Sequence, residues 1–240
     1  MKSVSRQSSE NSVGRMFDRI APVYDRLNHI LSFGMDFSWR HRITHLIDNE
    51  KKLRILDLAS GSGDLLISIL KSNPNITEAI GLDISENMLA ISQKKIARHN
   101  LSGKVKLICA DADSTGLSDN AFDYVTMGFG IRNTPDASKT LSEIFRLLKS
   151  GGTALILEFS IPSNRLLKYV YLLYLRLIVP FIGRLVSGDK DAYKYLDTSI
   201  EQFCRTKDLN LLIREAGFEN VIVLPLTFGI VSIYIGSKIH

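Results

Sequence analysis

The sequence predicts an α/β fold with a mostly parallel, doubly wound sheet that carries helices on both faces. Apolar strands alternate with helical segments over residues 53–158, a glycine-rich turn follows the first strand, and an acid ends the second strand at Asp83. Together these features are the parts of a βαβ unit that binds a nucleoside. The chain of 240 residues, 45% of them hydrophobic, is long enough for one such domain with additions.

The glycine-rich turn indicates which nucleoside is bound. Gly61 and Gly63 allow the backbone to approach a ligand closely, but Leu66 stands where a dinucleotide-binding turn has its third glycine. Asp57 and Asp64 flank the turn and would repel the phosphates of a dinucleotide. Both acids suit a cationic ligand with an amino-acid tail, so the turn favours S-adenosylmethionine over a nicotinamide dinucleotide. The alternative is that the glycines serve only the turn.

Asp83, at the end of the second strand, can accept hydrogen bonds from both hydroxyls of a ribose.

The predicted elements, in chain order, are strand 53–58, helix 64–72, strand 78–83, helix 86–99, strand 104–109, strand 122–127, a helix from Thr134 to Lys149, strand 153–158, a helix from Thr206 to Gly217, and a hairpin of strands 220–224 and 230–236. Ser85, Thr134 and Thr206 are the predicted N-caps of the helices that follow them.

The net charge of +5 and the two cysteines limit the partners and the cellular environment that the sequence predicts. A modest basic excess is compatible with nucleic acid or an anionic membrane surface without requiring either. Cys109 and Cys204 lie far apart in no metal-binding pattern, and Cys109 is predicted to be a buried thiol at the end of a strand. The sequence thus predicts no metal site, no disulfide framework and a cytoplasmic setting, with a polar, disordered tail over 1–12.

Residues 165–186 are apolar almost all round, with basic residues spaced among them. Lys168, Arg176, Pro180 and Arg184 break the segment into runs shorter than the ~20 apolar residues of a spanning helix, so we do not expect it to cross a bilayer. Two interpretations stay open. The segment is either a core helix or a lid over an apolar substrate that touches the membrane interface.

Several blocks of the chain resemble the ubiquinone/menaquinone biosynthesis C-methyltransferases. They lie at 21–25, 57–64, 83–89, 122–133, 148–152, 158–160, 193–196 and 216–218. The Phe-Gly-Ile-Arg-Asn block at 129–133 and the Tyr-Lys-Tyr-Leu block at 193–196 are the most specific parts. The resemblance implies a class I S-adenosylmethionine-dependent methyltransferase, which is Rossmann-like, with a seven-stranded, mostly parallel sheet, a C-terminal antiparallel hairpin and an N-terminal helical cap.

The expected organisation is a single methyltransferase domain over 13–240, preceded by the tail. Its parts are the helical cap 13–50, a cofactor-binding core 51–160, a lid or substrate insertion 161–205, and the last helix and strand hairpin 206–240.

The cofactor contacts of the family carry over to Ser62, Asp83, Asp111 and Ala112, and the expected cofactor site also includes Asp57, Gly61, Gly63 and Ile84. Asp83 would hold the ribose hydroxyls. Asp111 and Ala112 would lie beside the adenine, where a carboxylate can accept a hydrogen bond from the exocyclic amine. Ser62 stands where the family often has threonine, and either hydroxyl can donate. Gly128 stands in place of the usual serine, which removes one candidate side-chain contact.

The resemblance implies methylation of a ring carbon of a polyprenylated quinol. Polar side chains in the family-specific blocks are the candidates for the quinol head site and the catalytic groups: Tyr24, Asp25, Arg132, Asn133 and Tyr195. Arg132 and Asn133 follow the fourth strand, at the edge where open α/β sheets place ligands. Tyr24 and Asp25 have an alternative role as a structural pair that closes the N-terminal helices.

Demethylmenaquinol, which would become menaquinol, is the favoured substrate. A 2-methoxy-6-polyprenyl-1,4-benzoquinol of ubiquinone biosynthesis, or both quinols, stays open. A nucleic-acid methyltransferase is disfavoured because the fourth strand lacks an Asp/Asn-Pro-Pro-Tyr/Phe motif, and a non-catalytic scaffold because Gly61, Gly63 and Asp83 are intact. The implied partners are the quinol, a transient contact with the membrane surface, and a homodimer or a quinone-making assembly. No nucleic acid is expected, and the implied location is the cytoplasm or the inner face of the membrane.

Overall fold

The computed structural model describes residues 2–48, 50–187, 198–204 and 208–240. Its strands are β1 Leu53–Leu58, β2 Ile76–Asp83, β3 Val105–Cys109, β4 Phe122–Gly128, β5 Leu148–Phe159, β6 Glu219–Leu226 and β7 Val231–Ser237. They form one sheet in the order β3-β2-β1-β4-β5-β7-β6. Strands β1 to β5 are parallel, and β7 runs antiparallel to both β5 and β6. The predicted sheet with its C-terminal hairpin is therefore confirmed.

The helices are α1 Lys2–Leu31, α2 Met35–Thr44, α3 Asp64–Ser72, α4 Glu86–Arg98, α5 Ala137–Leu147, α6 Arg165–Leu173, α7 Val179–Ser187 and α8 Leu209–Glu215. A π-helical turn, Tyr174–Ile178, joins α6 to α7, and residues 198–204 are also helical. Short 3-10 turns lie at Ile131–Asn133 and Thr227–Gly229.

The central strands are buried on both faces, as parallel strands covered by helices require. In β1, Leu56 belongs to a core cluster with Ile144 of α5. Its neighbour Ile55 points to the other face and belongs to a second cluster with Ile43 of α2 and Leu66 of α3. Because adjacent residues serve opposite faces, the strand is a continuous apolar run rather than an alternating one.

The carboxyl ends of β1, β2, β4 and β5 meet at one edge of the sheet, where ligands bind in open α/β folds. A cap of helices covers this edge. Met16, Ile20 and Leu27 of α1 form a third apolar cluster with Tyr171 and Leu175 from the α6–α7 segment. The cap and the edge of the sheet together enclose the candidate site.

The segment from α6 to α7 is not the core helix that one interpretation expected. Over Arg165–Gly183 its length and mean hydropathy of 1.6 are sufficient for a membrane span. Only 22% of the window is buried, whereas a core helix would be mostly buried. Tyr171, Leu175 and Val179 recur every four residues and are buried, while most of the other apolar side chains are exposed. The segment therefore packs along one stripe only.

The predicted start of the helix before β5 differs from the structure. Asp136, not Thr134, caps α5: its carboxylate accepts from the N–H groups of Ser138 and Lys139, at 3.1 and 3.4 Å. Thr134 instead donates its hydroxyl to Ile131 O at 2.8 Å, which closes the preceding 3-10 turn. Asp136 has extended backbone, which leaves its side chain free to reach the first turn.

Two further expectations, on Cys109 and on the N-terminal tail, differ from the structure. Cys109 is exposed rather than buried, because β3 is an edge strand of the sheet. Helix α1 begins at Lys2, where a disordered tail was expected; residues 2–12 contain neither proline nor glycine to stop it. Thr206 lies outside the described residues, and Asp208 caps α8 by accepting from the N–H groups of Asn210 and Leu211.

Candidate active site

The glycine-rich turn after β1 is fixed by the acid at the end of β2. The N–H of Gly61 donates to Asp83 Oδ2 at 2.7 Å, and the N–H of Ser85 donates to Oδ1 at 2.9 Å. Burial raises the pKa of Asp83, and these backbone N–H groups oppose that rise. Each carboxylate oxygen holds one backbone donor and keeps a lone pair for a ligand hydroxyl.

Asp57 lies beneath the same turn, in β1, and is 1% exposed. Its Oδ1 accepts from the hydroxyl of Thr126 at 2.6 Å. Its Oδ2 is buried and has no hydrogen-bond partner among the described residues. Burial raises the pKa of Asp57 to about 7, partly opposed by the Thr126 hydrogen bond. A buried carboxylate oxygen without a partner is costly, and Asp57 is not among the residues that line the cavity beside the turn.

A cavity of about 260 Å³, here called the loop cavity, opens beside the turn. Five of the predicted cofactor residues line it: Gly61, Asp83, Ile84, Asp111 and Ala112. The cavity thus joins the ends of β1 and β2 to the loop that follows β3.

Ser62 points away from the loop cavity into a cluster of charged side chains. Its hydroxyl donates to Asp25, and Lys95 Nζ lies 2.9 Å from Asp25 Oδ2 and also donates to Asp64. Among the described residues that line the two cavities of the site, Asp25 does not occur. The cluster ties α1 to α3 and α4.

A second cavity of about 300 Å³, here called the apolar cavity, lies under the cap. Its walls include Ile20 of α1, Trp39 of α2, Phe159 of β5, and Tyr171 and Leu175 of the α6–α7 segment. Most of this lining is hydrocarbon or aromatic, so the cavity suits an apolar ligand.

The two cavities share a wall made of Phe17, Tyr24, Phe129, Arg132 and Asn133. Three of the five predicted head-site residues, Tyr24, Arg132 and Asn133, are therefore in contact with both cavities. Tyr195 lies outside the described residues. A ligand in one cavity would meet a ligand in the other at this wall.

Arg132 is held in the shared wall by a buried ion pair. Its Nη1 donates to Glu158 Oε1 at 2.8 Å and to Phe129 O at 2.6 Å, and the guanidinium carbon lies 5.2 Å from the centre of the Phe159 ring. Glu158 is fully buried at the end of β5. Arg132 Nε is buried without a partner among the described residues, which leaves a donor for a ligand oxygen.

Tyr24 supplies the second polar group of this wall. Burial raises the pKa of Tyr24, although the charge of Arg132 opposes the rise. The phenol therefore stays protonated at neutral pH and can donate a hydrogen bond. Arg132 and Tyr24 together can stabilise negative charge on an oxygen that lies between them.

Two polar features that support the site were not predicted from the sequence. Asp36, at the polar end of the apolar cavity, accepts from Ser32 Oγ and contacts His29 Nδ1, each at 2.7 Å, and pairs with Arg40. The spacing of Asp36 and Arg40 by four residues was a usable signal. Glu158 was the other, because an acid inside an apolar strand needs a buried partner.

The sheet order, the glycine turn and the acid ending β2 define a Rossmann-like methyltransferase fold of class I. A SAM-dependent methyltransferase of Thermotoga maritima has a similar structure, with a TM-score of 0.60 and 20% identity, over 94% of this chain and 99% of that one. One from Aquifex aeolicus has a TM-score of 0.56 and 15% identity, over 82% and 88%.

Sequence comparison is more specific than the fold. The profile of the ubiE/COQ5 methyltransferase family matches residues 5–238, so the chain belongs to this family. The demethylmenaquinone methyltransferase of Bacteroides fragilis is 38% identical over 94% of this chain and 92% of its own length. That of Thermus thermophilus is 41% identical over 93% and 100%. The ubiquinone/menaquinone biosynthesis C-methyltransferase UbiE of Geobacter sulfurreducens is 41% identical over 93% and 87%.

The substitution Gly63→Ala tests the packing of the turn. Gly63 has a φ of +85°, and a Cβ there would lie 2.4 Å from Ser92 Oγ, in a fully buried part of α4. We expect the free energy of unfolding to fall by about 2–4 kcal/mol, from backbone strain and collision together.

Gly116→Ala is the matched control, because Gly116 also has a positive φ, +68°, but a Cβ there would meet nothing within 4 Å. Its free energy of unfolding should fall only by the cost of the backbone strain, about 1–2 kcal/mol. Urea denaturation measures both values. Equal losses in the two variants would contradict the collision with Ser92.

Proposed function

We propose that the loop cavity binds S-adenosylmethionine. Asp83 would accept the ribose hydroxyls with the lone pairs that its two backbone donors leave open. Asp111 and Ala112 would lie beside the adenine, and the backbone of the turn would lie beside the methionine portion. The unpartnered Oδ2 of Asp57 supports a ligand that carries an ammonium group, and a cationic sulfonium also fits an acidic turn. Family membership supports the same cofactor.

We propose that the substrate is a polyprenylated quinol and that the chain converts demethylmenaquinol to menaquinol. The observation that carries this proposal is the shared wall, which sets an apolar cavity directly against the cofactor cavity. The Bacteroides fragilis and Thermus thermophilus relatives are named for demethylmenaquinone. The Geobacter sulfurreducens relative is named for ubiquinone and menaquinone, so a methoxy-polyprenyl benzoquinol is the second candidate. The enzyme would act from the cytoplasm, at the inner face of the membrane that holds the prenyl tail.

The chemistry would be a displacement at the sulfonium methyl group. S-adenosylmethionine, held by the loop cavity, would supply its sulfonium methyl group to the electron-rich ring carbon and would leave as S-adenosylhomocysteine. The ring would then pass a proton to solvent water and so regain its aromaticity. The protein must hold the carbon and the methyl about 3–3.5 Å apart. As a ring hydroxyl loses its proton, Arg132 Nε and the phenol of Tyr24 would stabilise the developing phenolate.

Methyl transfer from labelled S-adenosylmethionine tests the proposal directly. Reduced demethylmenaquinone and a reduced methoxy-polyprenyl benzoquinone are offered in parallel, and we expect label on the naphthoquinol. Asp83→Ala should abolish transfer, while Asp119→Ala, at an exposed surface pair with Arg146, should leave it unchanged. Label on both quinols would show that the enzyme methylates both the naphthoquinol and the benzoquinol. Label on neither, with the cofactor still bound, would refute the substrate.

Arg132→Lys tests the role of the free donor. Lysine keeps a cation against Glu158 but lacks the guanidinium Nε–H that is proposed to bind the quinol oxygen. We therefore expect kcat to fall about 10²-fold or more. The dissociation constant of the cofactor should change little, because Arg132 is proposed to act on the quinol. Arg54→Lys, in the surface ion pair with Glu78, is the matched control for replacing arginine by lysine and should leave kcat unchanged. A matching loss of cofactor affinity in Arg132→Lys would count against the assignment.

The pKa of Asp57, about 7, predicts how cofactor binding depends on pH. An ammonium group binds the ionised carboxylate, so affinity should weaken about tenfold between pH 8 and pH 6. Without ligand the sign is opposite. Ionising this buried acid disfavours the folded state, so its contribution to stability falls as the pH rises from about 4 to 7.

Calorimetric titration of S-adenosylhomocysteine between pH 5.5 and 8 gives the binding profile. Asp57→Asn should bind more weakly and lose the slope. Asp123→Asn, which removes a more exposed acid paired with Lys149, should keep the slope of the unaltered protein. A slope that persists in Asp57→Asn would assign the titration to another group.

A further inference from the structure

The α6–α7 segment and two turns carry a set of exposed apolar side chains. We call it the portal face and define it by Phe33, Leu166, Leu167, Tyr169, Val170, Leu173, Leu177, Ile178, Phe181 and Phe228. Eight of these belong to the α6–α7 segment, and the two others lie at the turn after α1 and the turn after β6. Clusters of this kind on a soluble surface mark an interaction site.

Two phenylalanines are presented at the tips of their turns. Phe33 is 75% exposed and Phe228 is 82% exposed. Both have a positive φ, 52° and 56°, a conformation that is unfavourable for a bulky residue and is usually taken by glycine or asparagine. The backbone of each turn is thus strained while its aromatic ring stands in solvent. A partner that buries both rings would offset these costs.

The portal face is continuous with the apolar cavity. Leu167 and Val170 of α6 belong both to this face and to the lining of the cavity, and so do Phe33 and Phe228. The cavity therefore opens at the portal face. A long apolar chain whose end occupies the cavity would leave the protein here.

The charges around this face select its partner. Between Glu158 and Asp189 the sequence has four basic residues, Arg165, Lys168, Arg176 and Arg184, and no acidic residue. Arg176 is paired with Glu201, while Arg165 and Lys168 are exposed near the start of α6. A second copy of the chain would set basic residues against basic residues. An apolar helix face with cationic residues along it matches the boundary between anionic headgroups and acyl chains.

We propose that the portal face docks on an anionic bilayer, with Phe33 and Phe228 inserted at the headgroup boundary, and that the quinol enters the apolar cavity laterally while its tail stays in the lipid. Tyr171, Leu175 and Val179 stay packed against the rest of the protein, so the helix lies along the surface. The entry route rests on the proposed quinol substrate, but the docking itself does not need substrate. The two parts can therefore be tested apart.

Sedimentation with vesicles tests the docking without any substrate. We expect the full-length protein to bind phosphatidylcholine vesicles that contain phosphatidylglycerol, and to bind less to phosphatidylcholine alone or in high salt. Tyr169→Ser/Phe181→Ser removes two exposed rings that do not line either cavity, and should weaken binding at least about tenfold. Leu211→Ser/Ile222→Ser, at residues 54% and 51% exposed on other elements, should bind as the unaltered protein does.

Turnover then tests the lateral entry. For a long-tailed quinol in vesicles, kcat/KM of Tyr169→Ser/Phe181→Ser should fall in parallel with vesicle binding. For a short-tailed quinol in solution it should stay within about twofold, because neither residue touches the cavities.

Several outcomes would overturn the proposal. The first is an absence of vesicle binding by the unaltered protein, and the second is an equal loss of vesicle binding in both double variants. A dimer that dissociates in Tyr169→Ser/Phe181→Ser would instead assign the face to a second copy of the chain. An equal fall of kcat/KM on the short-tailed quinol would overturn the lateral entry alone. Vesicle binding with no methylation of any quinol would refute the proposed function and leave the docking intact.

Discussion

The buried ion pair between Arg132 and Glu158 is the interaction on which the candidate site depends. It joins the loop after β4 to the end of β5 and orients a guanidinium at the wall that both cavities share. Removing one partner of such a pair costs about 3–5 kcal/mol, because the other charge is left buried. The arrangement is thus rigid, and it leaves Arg132 Nε directed to a fixed position. Phe129, held at a φ of 57°, accepts from the same guanidinium and completes the wall.

Helix α1 makes the two cavities one site. Phe17 and Tyr24 belong to both linings, and the Asp25 cluster with Ser62 and Lys95 attaches the helix to the cofactor half of the fold. Asp18 adds a second attachment, since it accepts from the hydroxyl of Ser85 at the start of α4. Because the same helix walls both cavities, a ligand that orders α1 in one cavity also shapes the other. Cofactor and quinol binding are therefore expected to be energetically coupled through α1.

The elements that local patterns determine could be predicted from the sequence. The strands, the glycine turn and Asp83 follow from apolar runs and residue spacing, which act over a few neighbours. What could not be predicted depends on contacts between distant segments. Cys109 is exposed because its strand lies at the sheet edge, and Asp25 faces Lys95, seventy positions away, rather than a cavity. At α5 a local rule was available but two candidate caps competed, and the carboxylate of Asp136 took the position given to Thr134.

Under the proposed function, two reactants of opposite solubility would meet at one wall, and this requirement would account for the shape of the cap. A charged cofactor comes from water and needs a polar cavity with fixed acceptors, such as that between Gly61 and Asp83. A prenylated quinol would cost several kcal/mol to bring fully into water, since each exposed methylene costs about 0.8 kcal/mol. The cap buries only the Tyr171, Leu175 and Val179 stripe of α6–α7 and leaves most of the other apolar side chains of that segment exposed, as the proposed docking requires. If the portal face docks on a bilayer as proposed, the exposed apolar surface would remove the largest barrier to delivering the substrate, because the prenyl tail would never enter water.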